Sequence, residues 1–232
     1  MRWCSTLHWL ASGALPSSTP RVRNSSRTRG NSSRWAPDRI DRPTTWTSSC
    51  SAASAIIVYA FVAGDYSIRY VKHTSDAIQP LFYKLTSYWG GLDGSIMFWV
   101  FMLSCFGSAA VYVNRERHRE LIPYVVAVIS VVEMFFLFLL VIHNNPFETF
   151  LTKTPAEGAG LNPLLQNFYM AIHPPTMYLG FVGLTIPYAF GMAALITGRV
   201  GEGWLLETRR WTLMSWGFLT VGIILGGWWA YE

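Results

Sequence analysis

One histidine, His173, stands directly in front of two prolines and a long apolar run, in the segment YMAIHPPTMYLGFVG at 169–183. A neutral imidazole keeps a lone pair on one ring nitrogen, so it can bind a metal, and haem iron commonly takes histidine as an axial ligand. A histidine at a membrane boundary serves equally well as a hydrogen-bonding group. Taken alone, the segment supports the two roles equally.

A second ionisable group, Glu133, interrupts the apolar run IPYVVAVISVVEMFFLFLLVI at 122–142. An ionisable side chain inside a bilayer is costly unless it faces protein or water. Glu133 is then either a proton-linked or helix-pairing group, or a protonated carboxylic acid that is hydrogen-bonded to a neighbouring helix. The last of these is the favoured interpretation.

The other histidines and the cysteines are weaker candidates for a site. His118 lies among arginines and His73 lies in a polar loop, so both are expected to be solvated. His143 follows an apolar run and is a weak second candidate, whereas His8 lies in an arginine-rich tail. Cys4, Cys50 and Cys105 are widely separated and show no CxxC spacing. Cys105 lies inside an apolar block, so a small packing residue is favoured there over a metal ligand or redox pair.

Membrane helices are the elements that must position these residues. Apolar residues make up 51% of the chain and charged residues 13%, and the apolar residues are gathered into blocks. A helix needs about 20 residues to cross a hydrocarbon core about 30 Å thick. Four blocks meet that length: 96–113, 122–142, 176–197 and 212–231. A shorter block, 52–64, predicts the end of a fifth helix, so the expected fold is an all-α polytopic membrane bundle with structured outer loops.

The two prolines predict where the helix of block 176–197 begins. Proline fits the first turn of a helix, and the residue before a proline is disfavoured in the helical conformation. Pro174 and Pro175 are therefore predicted to start this helix. His173 is predicted to stand just outside it, at the boundary between membrane and water.

The loop charges predict an orientation. Arginine-rich loops stay on the cytoplasmic side, and the connections 114–121 and 197–211 carry three arginines each. The longer connections 65–95 and 143–175 have a lower density of basic residues and are predicted to lie on the outer face. His173 belongs to this face, and the last helix ends there with Trp228 and Trp229. The glycines of WGGLDGS are expected to permit tight turns or close backbone approach.

The net charge of +5 comes from the N-terminal tail. Residues 1–50 hold eight arginines and two aspartates, whereas residues 51–232 hold ten basic and eleven acidic residues. The membrane region therefore gives no reason to expect a nucleic-acid partner. The tail itself, rich in arginine and serine, is interpreted as a targeting segment, a disordered tail, or a frame or start artefact.

Several motifs occur in a fixed order after the tail: WGGLDGS, NPF, GLNPLLQ, HPPTMYLGFVG and RRWTLMSWGFLTVGIILGGWWAYE. Together they resemble the CcmF family, the large membrane subunits of the cytochrome c haem-lyase complex. The resemblance covers about residues 56–232. It implies a polytopic helical bundle that holds haem at the outer membrane face for covalent attachment to apocytochrome c.

The resemblance also implies roles for individual residues. His173 corresponds to the first of two outer histidines that ligate the haem iron, and Trp228 and Trp229 lie at the edge of a tryptophan-rich haem platform. The second haem ligand is expected outside this chain. The implied partners are membrane lipid, other cytochrome c maturation subunits, a haem chaperone and apocytochrome c. The implied location is the bacterial inner membrane with the haem-site loops in the periplasm, or the mitochondrial inner membrane.

The chain departs from the family at both ends, because residues 1–50 match nothing expected and the sequence stops before the tryptophan-rich segment. Two parts are therefore expected, the tail 1–50 and a membrane region 51–232 of a truncated or split protein. Such a chain is not expected to act as a lyase alone. The alternatives are a transporter-like subunit in which Glu133 is the coupled group, and a non-functional fragment.

Overall fold

The computed structural model describes residues 43–114, 116–151, 154–199, 201 and 203–231. These ranges contain seven α-helices, with a short 3₁₀ helix at Pro163–Leu165. The α-helices are α1 (Pro43–Ala63), α2 (Arg69–Thr74), α3 (Leu81–Thr86), α4 (Leu92–Asn114), α5 (Ile122–Ile142), α6 (Phe168–Thr197) and α7 (Gly203–Tyr231).

Five of the described helices, α1, α4, α5, α6 and α7, are long and apolar enough to cross a membrane. This confirms the predicted all-α polytopic bundle. The helix predicted from block 52–64 begins at Pro43 and contains an 18-residue apolar stretch, Trp46–Ala63. The part of the tail before Pro43, including His8 and Cys4, lies outside the described residues.

The sequence did not predict the first turns of α1 as helix, because the hydroxyl side chains in these turns lower the mean hydropathy of the segment. One of these hydroxyls, that of Thr47, contacts a neighbouring helix. The Thr47 Oγ1 hydroxyl donates to the Ser104 carbonyl oxygen of α4 at 3.2 Å and lies 2.5 Å from Ser108 Oγ. Hydroxyl side chains between helices are ordinary in membrane bundles, where they hydrogen-bond across the interface.

The start of α6 corrects the prediction made for the HPP segment. This helix begins at Phe168, so Pro174 and Pro175 lie inside it and His173 is helical. The capping residue explains the difference, because the Asn167 side chain accepts hydrogen bonds from the backbone N–H groups of Tyr169 and Met170, at 2.8 Å and 3.4 Å. Asparagine is among the best residues at this position, and here it starts the helix five residues before His173.

The prolines inside α6 free backbone carbonyls, because proline has no N–H to donate to the residue four positions earlier. For Pro175 that acceptor is the buried Ala171 carbonyl oxygen. The Trp89 indole N–H donates to this oxygen at 3.0 Å. A side chain from the segment before α4 thus supplies the bond that the proline withholds, which is how neighbouring groups make proline tolerable in membrane helices.

Helices α6 and α7 pack closely because glycines line their contact. A Cβ atom on Gly180 would lie 2.5 Å from Leu219 Cγ, and one on Gly183 would lie 2.2 Å from Ser215 Oγ. Small residues let two membrane helices approach to this degree. On the other side, α6 packs with α4 and α5 around an apolar core that includes Leu103, Val125, Ile129, Val182, Ile186 and Phe190.

The two longer connections, 64–91 and 143–167, meet at one end of the bundle, which we call the HPP end. Ile68 and Thr149 form an antiparallel bridge between them, and the adjacent Arg69 donates to Glu148 Oε1 at 2.9 Å. The two arginine-rich connections meet at the opposite end, where Arg199 pairs with Glu120. The loops therefore alternate between the two ends as the sequence predicted.

A buried tyrosine organises the connection 64–91. The Tyr70 hydroxyl donates to the Ser87 carbonyl oxygen at 3.0 Å and accepts from the Gly91 N–H at 3.0 Å. Burial raises the pKa of Tyr70 far above its usual value, so this hydroxyl keeps its proton. Gly94 packs against the same ring and against the Tyr88 backbone, since a Cβ atom there would lie 2.8 Å from Tyr70 Cε1 and 1.8 Å from the Tyr88 carbonyl oxygen. The close backbone approach predicted for WGGLDGS is confirmed at this position.

Candidate functional site

His173 is the sixth residue of α6 and is half-buried against α7. Its Nδ1 atom lies 2.7 Å from the backbone carbonyl oxygen of Gly222. Because a carbonyl oxygen only accepts, Nδ1 carries the proton and donates it. In the neutral ring Nε2 is then unprotonated and keeps its lone pair. The contact therefore fixes both the tautomer and the orientation of the imidazole.

Two glycines of α7 contact this ring. A Cβ atom on Gly226 would lie 2.7 Å from His173 Cε1 and 3.4 Å from Nε2. Gly222, one helical turn earlier, provides the carbonyl acceptor. Sequence reasoning did not assign either glycine, although the four-residue spacing in GIILG is a signature of close helix packing.

Two aromatic rings stack beside the histidine. Tyr169, one turn before His173 in α6, stacks on Trp228 of α7 with ring centroids 5.5 Å apart and an interplanar angle of 26°. Trp228 is 57% exposed, and Trp229 is half-buried. The structure thus brings His173 and Trp228 to one end of the α6–α7 pair. Tyr169 was missed because the predicted helix began after it.

The donor set at this end is compatible with a metal that needs a single protein ligand from this chain. A histidine whose second nitrogen donates to a backbone carbonyl has the arrangement typical of metal-ligating histidines. In the described ranges, no group of three or more His, Cys, Asp or Glu side chains is placed to hold a metal ion. A haem iron, already bound by its porphyrin, needs protein ligands only at its axial positions. His173 Nε2 fits one such position.

The remaining histidines lie elsewhere. His143 caps the C-terminal end of α5 and is exposed, and His73 is exposed on α2 as predicted. His118 is half-buried and makes a T-shaped ring contact with Phe190, with ring centroids 6.5 Å apart. Of the described histidines, His173 has the geometry most typical of a ligand.

Glu133 lies near the middle of α5 and is 0% exposed. Its Oε1 accepts a hydrogen bond from the Cys50 thiol of α1 at 3.8 Å, and its Oε2 has no partner among the described residues. The carboxyl group thus hydrogen-bonds to a neighbouring helix as the favoured interpretation expects, and the proton that this interpretation places on it stays a prediction. The structure therefore joins Glu133 to α1 and not to His173.

Residues 89–232, more than half of the chain and including α4 to α7, match the family described as cytochrome C assembly protein. The chain belongs to this cytochrome c assembly protein family. The matched range contains His173, Trp228 and both glycines that contact the histidine ring.

Curated relatives agree with this membership. The cytochrome c-type biogenesis protein CcmF of Pseudomonas aeruginosa is 37% identical over 203 residues, which cover 85% of this chain and 31% of the relative. The cytochrome c-type biogenesis protein CycK of Rhizobium meliloti is 40% identical over 177 residues, covering 76% of this chain and 26% of the relative. The family resemblance seen in the motifs is confirmed.

A solved structure also resembles this member of the assembly family. A chain described as cytochrome c heme lyase CcmF superposes with a TM-score of 0.68 at 34% identity, over 80% of this chain and 29% of that chain. The chain therefore spans between a quarter and a third of the length of these relatives. Because the matches are cytochrome c biogenesis proteins, they do not favour the transporter-like alternative built on Glu133.

Proposed function

We propose that this chain forms the first half of a haem-binding site in a cytochrome c haem-lyase subunit. The observation that carries the proposal is the 2.7 Å contact between His173 Nδ1 and the Gly222 carbonyl oxygen, which leaves Nε2 free as a ligand. In this role His173 is the first axial ligand of a haem held for attachment to apocytochrome c. The second ligand comes from outside this chain.

The contacts of His173 suit this role. The Nδ1–H bond to a backbone carbonyl orients the ring, as such bonds do for metal-ligating histidines. The α7 backbone at Gly226 blocks movement of the ring toward that helix. Haem supplies the iron and the vinyl groups that react with the cysteine thiols of the apocytochrome, so the work of these residues is to position it.

The stacked pair Tyr169 and Trp228 suits the edge of a haem surface. Flat aromatic rings pack well against a planar apolar ligand, and Trp228 is the more exposed member of the pair. Trp229 follows it toward the end of α7. We assign both tryptophans to the border of the haem platform, with the rest of the platform supplied by sequence beyond this chain.

The proposed setting is the bacterial inner membrane, with the HPP end in the periplasm. The arginine-rich connections lie at the opposite end, which supports this orientation because such loops stay in the cytoplasm. The proposed partners are membrane lipid, the other cytochrome c maturation subunits, a haem chaperone and apocytochrome c.

Complementation tests the proposed function. The protein that contains this chain is expressed in a bacterial strain without its own relative, and covalently bound haem on a c-type cytochrome is measured by peroxidase staining. We expect attachment to be restored, and we expect the Glu133→Gln variant to restore it as well. Failure of the parent protein, when it is present in the membrane, contradicts the proposal. If Glu133→Gln loses haem attachment while the parent protein restores it, the result would favour the transporter-like alternative, in which this carboxyl is the coupled group.

Adding one methyl group beside His173 should weaken the site. Gly226→Ala places a carbon 2.7 Å from His173 Cε1, so the ring must turn and its bond to Gly222 must lengthen. Loss of such an orienting bond costs about 10- to 100-fold in metal affinity or activity. Haem attachment measured in the complementing strain should fall by that factor.

The neighbouring glycine is the matched control for this prediction. A Cβ atom on Gly227 meets nothing within 4 Å, so Gly227→Ala should keep the parental level. Equal attachment by the two alanine variants would show that the His173 orientation does not govern the site.

A further inference from the structure

Within the connection 64–91, residues 75–87 bury several polar side chains and expose several apolar ones. Ser87 is 0% exposed and Gln79 is buried, and the Gln79 Nε2–H group donates to Ser87 Oγ at 3.1 Å. Ile78, by contrast, is 91% exposed. This is the reverse of the pattern at a protein surface that faces water. The segment therefore has the burial pattern of a surface that faces an apolar medium.

The exposed apolar residues continue onto the next connection and the start of α6. Phe82 of α3 stacks on Phe168, the first residue of α6, with ring centroids 6.1 Å apart. We call the exposed set the loop patch, and it consists of Ile78, Leu81, Phe82, Leu85, Leu164 and Phe168. None of the six carries a charge, so the patch gives no electrostatic attraction for a charged partner.

Contacts between the helices indicate how far the loop patch lies from the hydrocarbon layer of the membrane. Helix α5 has 21 residues and is about 31 Å long at 1.5 Å per residue, which matches the hydrocarbon thickness. Just beyond its end, the Asn144 side chain donates to Asp93 in the first turn of α4. The Trp89 bond to Ala171 relates α4 to α6. Phe168 precedes Ala171 by about 4.5 Å of helix, which places it in the headgroup layer.

The neighbouring surface is also apolar. Helix α3 packs beside α1, a spanning helix whose Tyr59 and Val62 are exposed near the same end. Lys84 of α3 reaches back to the Ala77 carbonyl oxygen at 3.3 Å, so its ammonium lies at the border of the patch. An apolar face with a lysine at its border, continuous with a membrane-facing helix, is the arrangement of an interfacial helix.

We propose that the loop patch lies in the lipid headgroup layer and binds the bilayer itself, with its apolar side chains among the upper parts of the acyl chains. The patch includes the first residue of α6, five residues before His173. Lipid binding there fixes the depth of the HPP end relative to the membrane surface. This lipid contact does not depend on what His173 binds.

Photo-crosslinking tests this placement. Benzoylphenylalanine is placed at the position of Ile78 or Phe82 in the complete protein within its own membrane, irradiated, and the adducts are identified by mass spectrometry. Phe138, exposed on α5, serves as the lipid-facing reference. His73, exposed on polar α2, serves as the water-facing reference. We expect phospholipid adducts at both patch positions, with a yield about tenfold above that at His73.

Either of two other results overturns the proposal. Adducts with a protein, whether another segment of the same protein or a second subunit, would show that the patch is a protein interface. A yield equal to that at His73 would show that the patch faces water. A result at the Ile78 position cannot be attributed to misfolding, because this side chain is almost fully exposed and its replacement disturbs no packing.

Discussion

Replacing His173 with alanine is expected to lower covalent haem attachment to a c-type cytochrome by more than about 100-fold. Disturbing the orientation of a ligating histidine already costs about 10- to 100-fold, and removing the ligand itself should cost more. His143→Ala is the matched control, since His143 is exposed at the end of α5 on the same end of the bundle. It should change attachment by no more than about twofold.

Two measurements separate loss of the ligand from loss of the fold. His173→Ala removes a hydrogen bond worth about 1 kcal/mol, so the protein should still accumulate in the membrane. The haem absorption spectrum of the purified complete protein should change in this variant and not in His143→Ala. Added imidazole should restore part of the spectrum, because it can occupy the space that the side chain vacated. An unchanged spectrum together with unchanged attachment would remove His173 from the site.

The spanning helices could be predicted from the sequence because hydrocarbon thickness sets a length that apolar blocks either reach or do not. Their starts could not be predicted in the same way. Helix α6 begins at Phe168 because the Asn167 side chain caps it and because the Trp89 indole satisfies the carbonyl that Pro175 leaves free. The second of these contacts joins residues 82 positions apart. The conformational preferences of proline and of its sequence neighbours take no account of such a long-range contact.

The candidate site, like the helices, could be predicted from the sequence only in part. The HPP motif and the family resemblance predicted His173 as a site residue, and the structure places it at the same end of the α6–α7 pair as Trp228. The contact with Gly222, the space at Gly226 and the stacking of Tyr169 depend on the register between α6 and α7. Apolar patterning does not set that register, since lipid-facing and helix-facing positions are both apolar; glycine spacing does.

Gly94→Ala is expected to destabilise the protein strongly, although it adds only one methyl group. The added carbon would lie 1.8 Å from the Tyr88 carbonyl oxygen and 2.5 Å from the Tyr70 hydroxyl oxygen. The nearest atom belongs to the backbone, so no side-chain rotation relieves the clash, and the segment before α4 must move. Overpacking costs typically reach about 3 kcal/mol, and this contact belongs at the upper end of that range.

The consequences should extend from Gly94 to the HPP segment. Moving Tyr88 strains its bond to Ser54 of α1, and moving the adjacent Trp89 breaks the bond that satisfies Ala171 in α6. Thermal unfolding of the purified complete protein in detergent measures the loss. Gly217→Ala is the matched control, because it also adds a methyl group to a spanning helix but meets nothing within 4 Å.

Trimming a side chain should not rescue this variant. In Tyr70→Phe/Gly94→Ala the hydroxyl is gone, but the Tyr88 carbonyl oxygen still occupies the space that the methyl group needs. The double variant should therefore unfold at or below the temperature of Gly94→Ala. Equal melting temperatures for Gly94→Ala and Gly217→Ala would mean that the connection 64–91 moves at little cost in stability. In that case the Trp89 bond to Ala171 could not be what holds the HPP segment in a helical conformation.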